Sequence, residues 1–167
     1  MSNAPGVLSA DGFRDRGAQA TRLEAFVDAA FAFALTLVVI AGNDIPDSVD
    51  ALVLAMKSVP AYAGCFLLIM RCWSAHADWS RRYGLDDVTS RRLGVLLVFL
   101  VLIFVYPMRM VFSSLFNALT AGYLPTGFTI SSVSDVPAMF ILFAVAFGLL
   151  GAVMTALYWH AWRLRDA

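Results

Sequence analysis

Apolar residues in this chain fall into four long blocks separated by short polar stretches. They do not form the narrow apolar stripes of helices that lie on a soluble core. A helix needs roughly 20 apolar residues to cross the hydrocarbon layer of a bilayer, and the four blocks reach or approach that length. They predict helices at about residues 23–41, 51–75, 93–112 and 136–162. Lys57 and Pro60 interrupt the second block, and a proline early in that helix is expected to kink it. The predicted fold is therefore all-α, an integral membrane bundle of four transmembrane helices in residues 21–167. Residues 1–20 read as a polar tail without the apolar core of a signal peptide.

Composition narrows this picture. Sixty per cent of the residues are hydrophobic and 14% charged, far from the mix of a soluble domain. Basic residues set the orientation. Arg14, Arg16 and Arg22 precede the first span, Arg81, Arg82, Arg91 and Arg92 lie between the second and third, and Arg163 and Arg165 follow the fourth. Asp44, Asp47 and Asp50 lie in the first opposite loop, and the long segment Ser113–Val136 forms the second. Both termini are expected to be cytoplasmic, in a multi-pass protein of the cell membrane. With a formal net charge of zero and no basic run, nothing suggests nucleic acid. Cys65 and Cys72, seven apart, read as small packing residues and not as a metal or disulfide framework. No catalytic motif is present, so no enzyme is expected and no metal or cofactor is assigned.

The chemistry concentrates on the first helix. Arg22 and Glu24 stand at its mouth, and Asp28 lies more than a turn inside the apolar run. An ionisable group at that depth needs a partner. Trp73 and His76, three apart near the same end of the second helix, fall at the same depth, so His76 could hydrogen-bond Asp28. Along the same helix, Phe26, Ala30, Phe33, Leu37 and Ile40 recur at offsets of four and three, with Thr36 beside Leu37. Such a stripe packs a bundle, faces lipid or lines a pore, and apolar pore residues gate by dewetting. His76 and His160 also admit a haem site between the second and fourth helices.

These residues resemble the transmembrane protein 175 family, which includes the endosomal and lysosomal potassium channel of animals and small bacterial potassium channels. The family's first helix carries an arginine, three residues, Phe-Ser-Asp, then Ala-Ile and Thr-Leu-Leu. This chain reads Arg22, Phe26-Val27-Asp28, Ala32-Phe33 and Thr36-Leu37-Val38. The family's second helix ends Trp-x-x-His, matched by Trp73-Ser74-Ala75-His76. The third helix is similar through the apolar run ending in Tyr106-Pro107.

The resemblance implies a homo-oligomer in a bacterial inner membrane, expected to be a tetramer, that conducts potassium or other monovalent cations as a leak. Helix one would line the pore. Phe33, Leu37 and Ile40 would form the constriction, Thr36 would be the residue likened to selectivity, and Arg22, Asp28, Trp73 and His76 would form the polar network holding the helix. Val27 replaces the family serine, Phe33 stands at an isoleucine position, and four predicted spans compare with six in bacterial members. A non-conducting scaffold or accessory subunit of the same fold, and a haem-binding redox protein, are the rival expectations.

Overall fold

The computed structural model describes residues 21–40, 45–126, 132 and 134–165. Among them are five α-helices and no strand: α1 (Arg22–Ile40), α2 (Val49–Lys57), α3 (Val59–Tyr83), α4 (Val88–Leu119) and α5 (Asp135–Arg165). The expected tail with Arg14 and Arg16, and the turn residues Gly42, Asn43 and Asp44, lie outside the described residues.

Local chemistry sets where these helices begin and end. At the start of α1, the Thr21 hydroxyl accepts from the Glu24 amide at 3.1 Å and the Glu24 carboxylate accepts from the Thr21 amide at 3.3 Å. This reciprocal pair satisfies two donors that the first helical turn leaves unmet. Ser48 caps α2 by accepting from the Ala51 amide at 3.2 Å. The second apolar block is two helices bent by 44°, not one continuous rod. Pro60 lies in the first turn of α3, where its missing N–H is not needed. Carried backward into α2, the same proline would leave the Met56 carbonyl unbonded and clash with it, so the chain breaks at Ser58.

The helix ends differ from those expected. α3 continues past Ala75 to Tyr83, and α4 begins at Val88 and runs past Phe112 to Leu119. Hydropathy marks the length that is apolar, whereas backbone hydrogen bonding continues until something stops it. Gly84 stops α3, in the left-handed conformation (φ 59°) that glycine adopts without strain, and its amide bonds the Ser80 carbonyl at 2.9 Å. Asp87 then caps α4, so Arg81, Arg82, Arg91 and Arg92, expected between the second and third spans, lie on the ends of two helices.

α4 is the central helix and packs against α1, α3 and α5, whereas α2 touches no helix but α3 among the described residues. The core is continuous along α4: Leu97, Val101, Phe104, Val105 and Met108 meet Val27, Phe31 and Ala34 of α1, Cys65 and Ile69 of α3, and Leu157 of α5. Phe104 also joins Phe143 and Phe147 of α5, with ring centroids 5.3 and 6.0 Å away. Contacts between helices pair residues 28 with 73, 79 with 157 and 87 with 160 at one end of the bundle, and 62 with 109 at the other. The chain therefore alternates direction from one long helix to the next.

α1, α4 and α5 are each long and apolar enough to cross a membrane, and the bent pair α2–α3 is a fourth candidate if it counts as one span. The protein is an all-helical membrane protein. Leu142, Val145 and Leu149 on the outer side of α5 are exposed, as lipid contact requires.

Gly64 of α3 lies close against Phe112 of α4. A Cβ at this position would press into the Phe112 ring, 2.6 Å from Cε1. Gly64→Val is therefore expected to destabilise the protein by about 1–3 kcal/mol through overpacking. Thermal melting in detergent checks this, and an unchanged midpoint would mean that Phe112 swings aside without cost.

Candidate functional site

α1 has two distinct faces. Leu23, Val27, Phe31, Ala34 and Val38 are buried against α3 and α4. Opposite them, Arg22, Ala25, Phe26, Ala29, Ala32, Phe33, Thr36, Val39 and Ile40 are exposed. Phe33 is 57% and Ile40 66% exposed, so the two bulky side chains project away from this chain.

The expected apolar stripe divides between these faces. Phe26, Phe33 and Ile40 are exposed, while Ala30 and Leu37 are half-buried against the core cluster. At 3.6 residues per turn, a strict repeat of seven falls short of two full turns. The centre of the outer face thus passes through the small residues Ala29, Ala32 and Thr36. Thr36 donates its hydroxyl to the Phe33 carbonyl at 2.7 Å, with the Ala32 carbonyl 3.3 Å away.

The polar residues at the start of α1 are arranged differently from the expected network. Asp28 is bonded by Trp73, whose indole N–H donates to the carboxylate at 2.8 Å. His76 is 1% exposed, and neither of its ring nitrogens reaches a hydrogen-bond partner among the described residues. Its ring lies 5.7 Å from that of Trp79. Arg22 is exposed at the first position of α1 and takes no part in the Asp28–Trp73 bond. The structure thus joins Asp28 to Trp73 and leaves His76 and Arg22 out of that bond. A tryptophan explains why: its single donor reaches the carboxylate while its ring stays apolar.

Other groups at this end emerge only from the structure. Trp79 is 1% exposed, and its indole donates to the Leu157 carbonyl at 3.0 Å. Tyr158 donates to the Ala75 carbonyl at 3.2 Å, which ties α3 to α5 a second time. Trp159 and Trp162 are exposed in the manner of an interfacial belt. His160 is bonded to Asp87 at 2.9 Å. Haem ligation through that nitrogen would have to break this contact.

Asp87 is the junction of this end. Its carboxylate accepts from the Thr89 amide at 3.0 Å and the Ser90 hydroxyl at 2.6 Å, besides the His160 contact. Burial by itself raises its carboxyl pKa, but the Ser90 hydroxyl, the His160 ring and the Thr89 amide hold it down to about 2, from 3.8. A depressed carboxyl stabilises the fold above its ordinary value and loses that contribution as pH falls through about 2. The protein is therefore expected to lose melting temperature between pH 4 and pH 2. Asp87→Asn, which keeps the cap but not the charge, should flatten that part of the profile. Asp87→Ala should cost about 1 kcal/mol at neutral pH as well. Melting curves of the three proteins across this range are the check, and parallel profiles would refute the assignment. Both caps were legible as local spacing: Thr21-x-x-Glu24 before an apolar run, and Asp87 just ahead of a helix.

Residues 22–107, more than half of the 167, match the family model described as endosomal/lysosomal potassium channel TMEM175. The chain belongs to this family. It is 30% identical over 160 residues to a protein of Marivirga tractuosa named potassium channel, an alignment covering 92% of this chain and 64% of the relative. The chain thus spans less than two thirds of that relative's length. A solved crystal structure of a threonine-to-alanine variant of the potassium channel MtTMEM175, in complex with a nanobody–MBP fusion, superposes with a TM-score of 0.82 at 28% identity. The match covers 96% of this chain and 72% of that one.

Proposed function

We propose that this protein is a homo-oligomeric potassium-permeable channel, a monovalent cation leak pathway, in which the outer face of α1 lines the pore. The observation that carries this reading is the pair of faces on α1. One face is docked firmly on α3 and α4, while the other, with Phe33, Thr36 and Ile40, meets no helix of this chain among the described residues. Symmetric copies would cover this face by bringing it to a common axis. Four copies are the expected assembly.

On that axis, Phe33 and Ile40 form apolar constrictions that shed water when narrow, which is a gate. Thr36 lies between them along the helix. Its hydroxyl proton is directed to the Phe33 carbonyl, so the oxygen lone pairs are what remain to meet a cation. The bond from Trp73 to Asp28 anchors the start of the pore helix to α3. Arg22 and the basic residues at the same end support an orientation with both termini in the cytoplasm of a bacterium. The activity is transport, not catalysis, and needs no cofactor beyond the permeant potassium ion.

Potassium flux from liposomes reconstituted with the full chain, measured against empty vesicles, tests this directly. Selective potassium release supports the channel. Absence of flux from both the wild-type protein and a variant without the Phe33 ring would leave the non-conducting scaffold.

A further inference from the structure

At the end of the bundle remote from Asp87, a cavity of about 440 Å³ opens between α2, the α2–α3 break, α4 and the segment after α4. Asp47, Leu54, Ser58, Tyr62, Arg109 and Thr126 are among the residues that line it. Its volume falls in the range of small-molecule sites, and its walls mix apolar side chains with a few polar groups, as such sites do.

Arg109 is held by Tyr62. One guanidinium nitrogen donates to the Tyr62 hydroxyl at 3.1 Å, and the guanidinium lies 5.2 Å from the centre of the same ring. The planar cation is thereby oriented against a cavity wall, and its fork geometry matches phosphate and carboxylate oxygens. Its depth is also informative. At 1.5 Å per residue, Arg109 lies about 27 Å along α4 from Arg91, close to the thickness of the hydrocarbon layer, about 30 Å. With Arg91 at one headgroup layer, Arg109 stands at the other, where lipid phosphates are found.

The wall opposite is formed by α2, which packs only on α3 among the described residues. α2 has no buried residue, and its end is tied to the segment after α4 by Lys57, which lies 4.5 Å over the Tyr123 ring. Such a wall can accommodate a guest without disturbing the core. Asp47 supplies the opposite charge in the same cavity.

We infer that this cavity binds a phospholipid headgroup carrying both a phosphate and an ammonium, with the phosphate on Arg109 and Tyr62 and the ammonium on Asp47. This goes beyond the channel reading and does not depend on it.

The test uses the full chain, delipidated in detergent, and follows its melting temperature. Titrants are phosphatidylethanolamine, phosphatidylglycerol and inorganic phosphate. Phosphatidylethanolamine is expected to raise the midpoint by several degrees and more than the other two. Arg109→Gln should abolish the rise, and Asp47→Asn should erase the preference over phosphatidylglycerol. Ala55→Trp fills the cavity and leaves Arg109 in place, so it carries the test if Arg109→Gln does not fold. A rise that survives both Arg109→Gln and Ala55→Trp, equal stabilisation by the two lipids, or inorganic phosphate matching the lipid would overturn the inference.

Discussion

Phe33→Ala is expected to raise potassium flux through reconstituted protein about tenfold or more, which corresponds to about 1.4 kcal/mol removed from the barrier. Phe33 is the bulkiest exposed side chain in the middle of α1, and its ring is directed away from the chain's own core. On a symmetry axis, several such rings would close a small apolar ring that water enters reluctantly. Alanine at that position widens the passage while keeping a good helix former. Leu37→Ala is the matched control. Leu37 is half-buried against the core cluster, so its loss should lower melting temperature more than it alters flux. Flux assays on the two variants beside wild type separate the readings. If Phe33→Ala vesicles leak no faster than wild type, Phe33 is not the constriction.

Trp79→Ala should be the most damaging single change to stability. Trp79 is among the largest fully buried side chains, and its indole donor is bonded to the Leu157 carbonyl at 3.0 Å across the α3–α5 contact. Removing it leaves a cavity and takes away the cross-helix hydrogen bond, at about 3–5 kcal/mol for a buried tryptophan. That is a large share of the roughly 5–15 kcal/mol by which folded proteins are stable. Trp79→Phe keeps most of the volume and loses the donor, so a cost of about 1 kcal/mol is expected. Size-exclusion profiles and melting curves should therefore rank wild type, Trp79→Phe and Trp79→Ala in falling order. A Trp79→Ala protein that melts with wild type would contradict the packing described here.

Much of the fold was readable because lipid imposes a one-dimensional rule. A spanning helix must be apolar along its length, so the segments announce themselves without knowledge of their neighbours. The positions of α1, α4 and α5 follow from this, whereas Pro60, expected to kink one helix, separates two. The helix ends did not, because α3 and α4 continue through polar residues such as Ser80 and Arg91 until Gly84 and Asp87 stop or cap them.

The candidate site was legible in composition but not in pairing. The depth of Asp28 in an apolar run required a donor, and both Trp73 and His76 stood at the right height. Which of them supplies it depends on ring orientation across the α1–α3 contact, and the bond goes to Trp73. Spacing likewise grouped Phe33, Leu37 and Ile40. Docking of α1 on α3 and α4 separated them, because a rotation of about 40–60° around the helix decides what is buried.

By itself, the sequence determined that this is a helical membrane protein with an ionisable residue inside its first helix, and it carried the motifs of its family. Those properties reside in single residues and short spacings, where the cost of exposing a charge or a backbone amide to lipid leaves few alternatives. Only the tertiary structure decided that Trp79 is core, that Asp87 reaches His160, and that Arg109 with Tyr62 lines a cavity. These depend on contacts between residues far apart in the chain, set by how each helix is turned against its neighbours. The outer face of α1 is defined in the same way, as what remains after the rest of the helix has been buried.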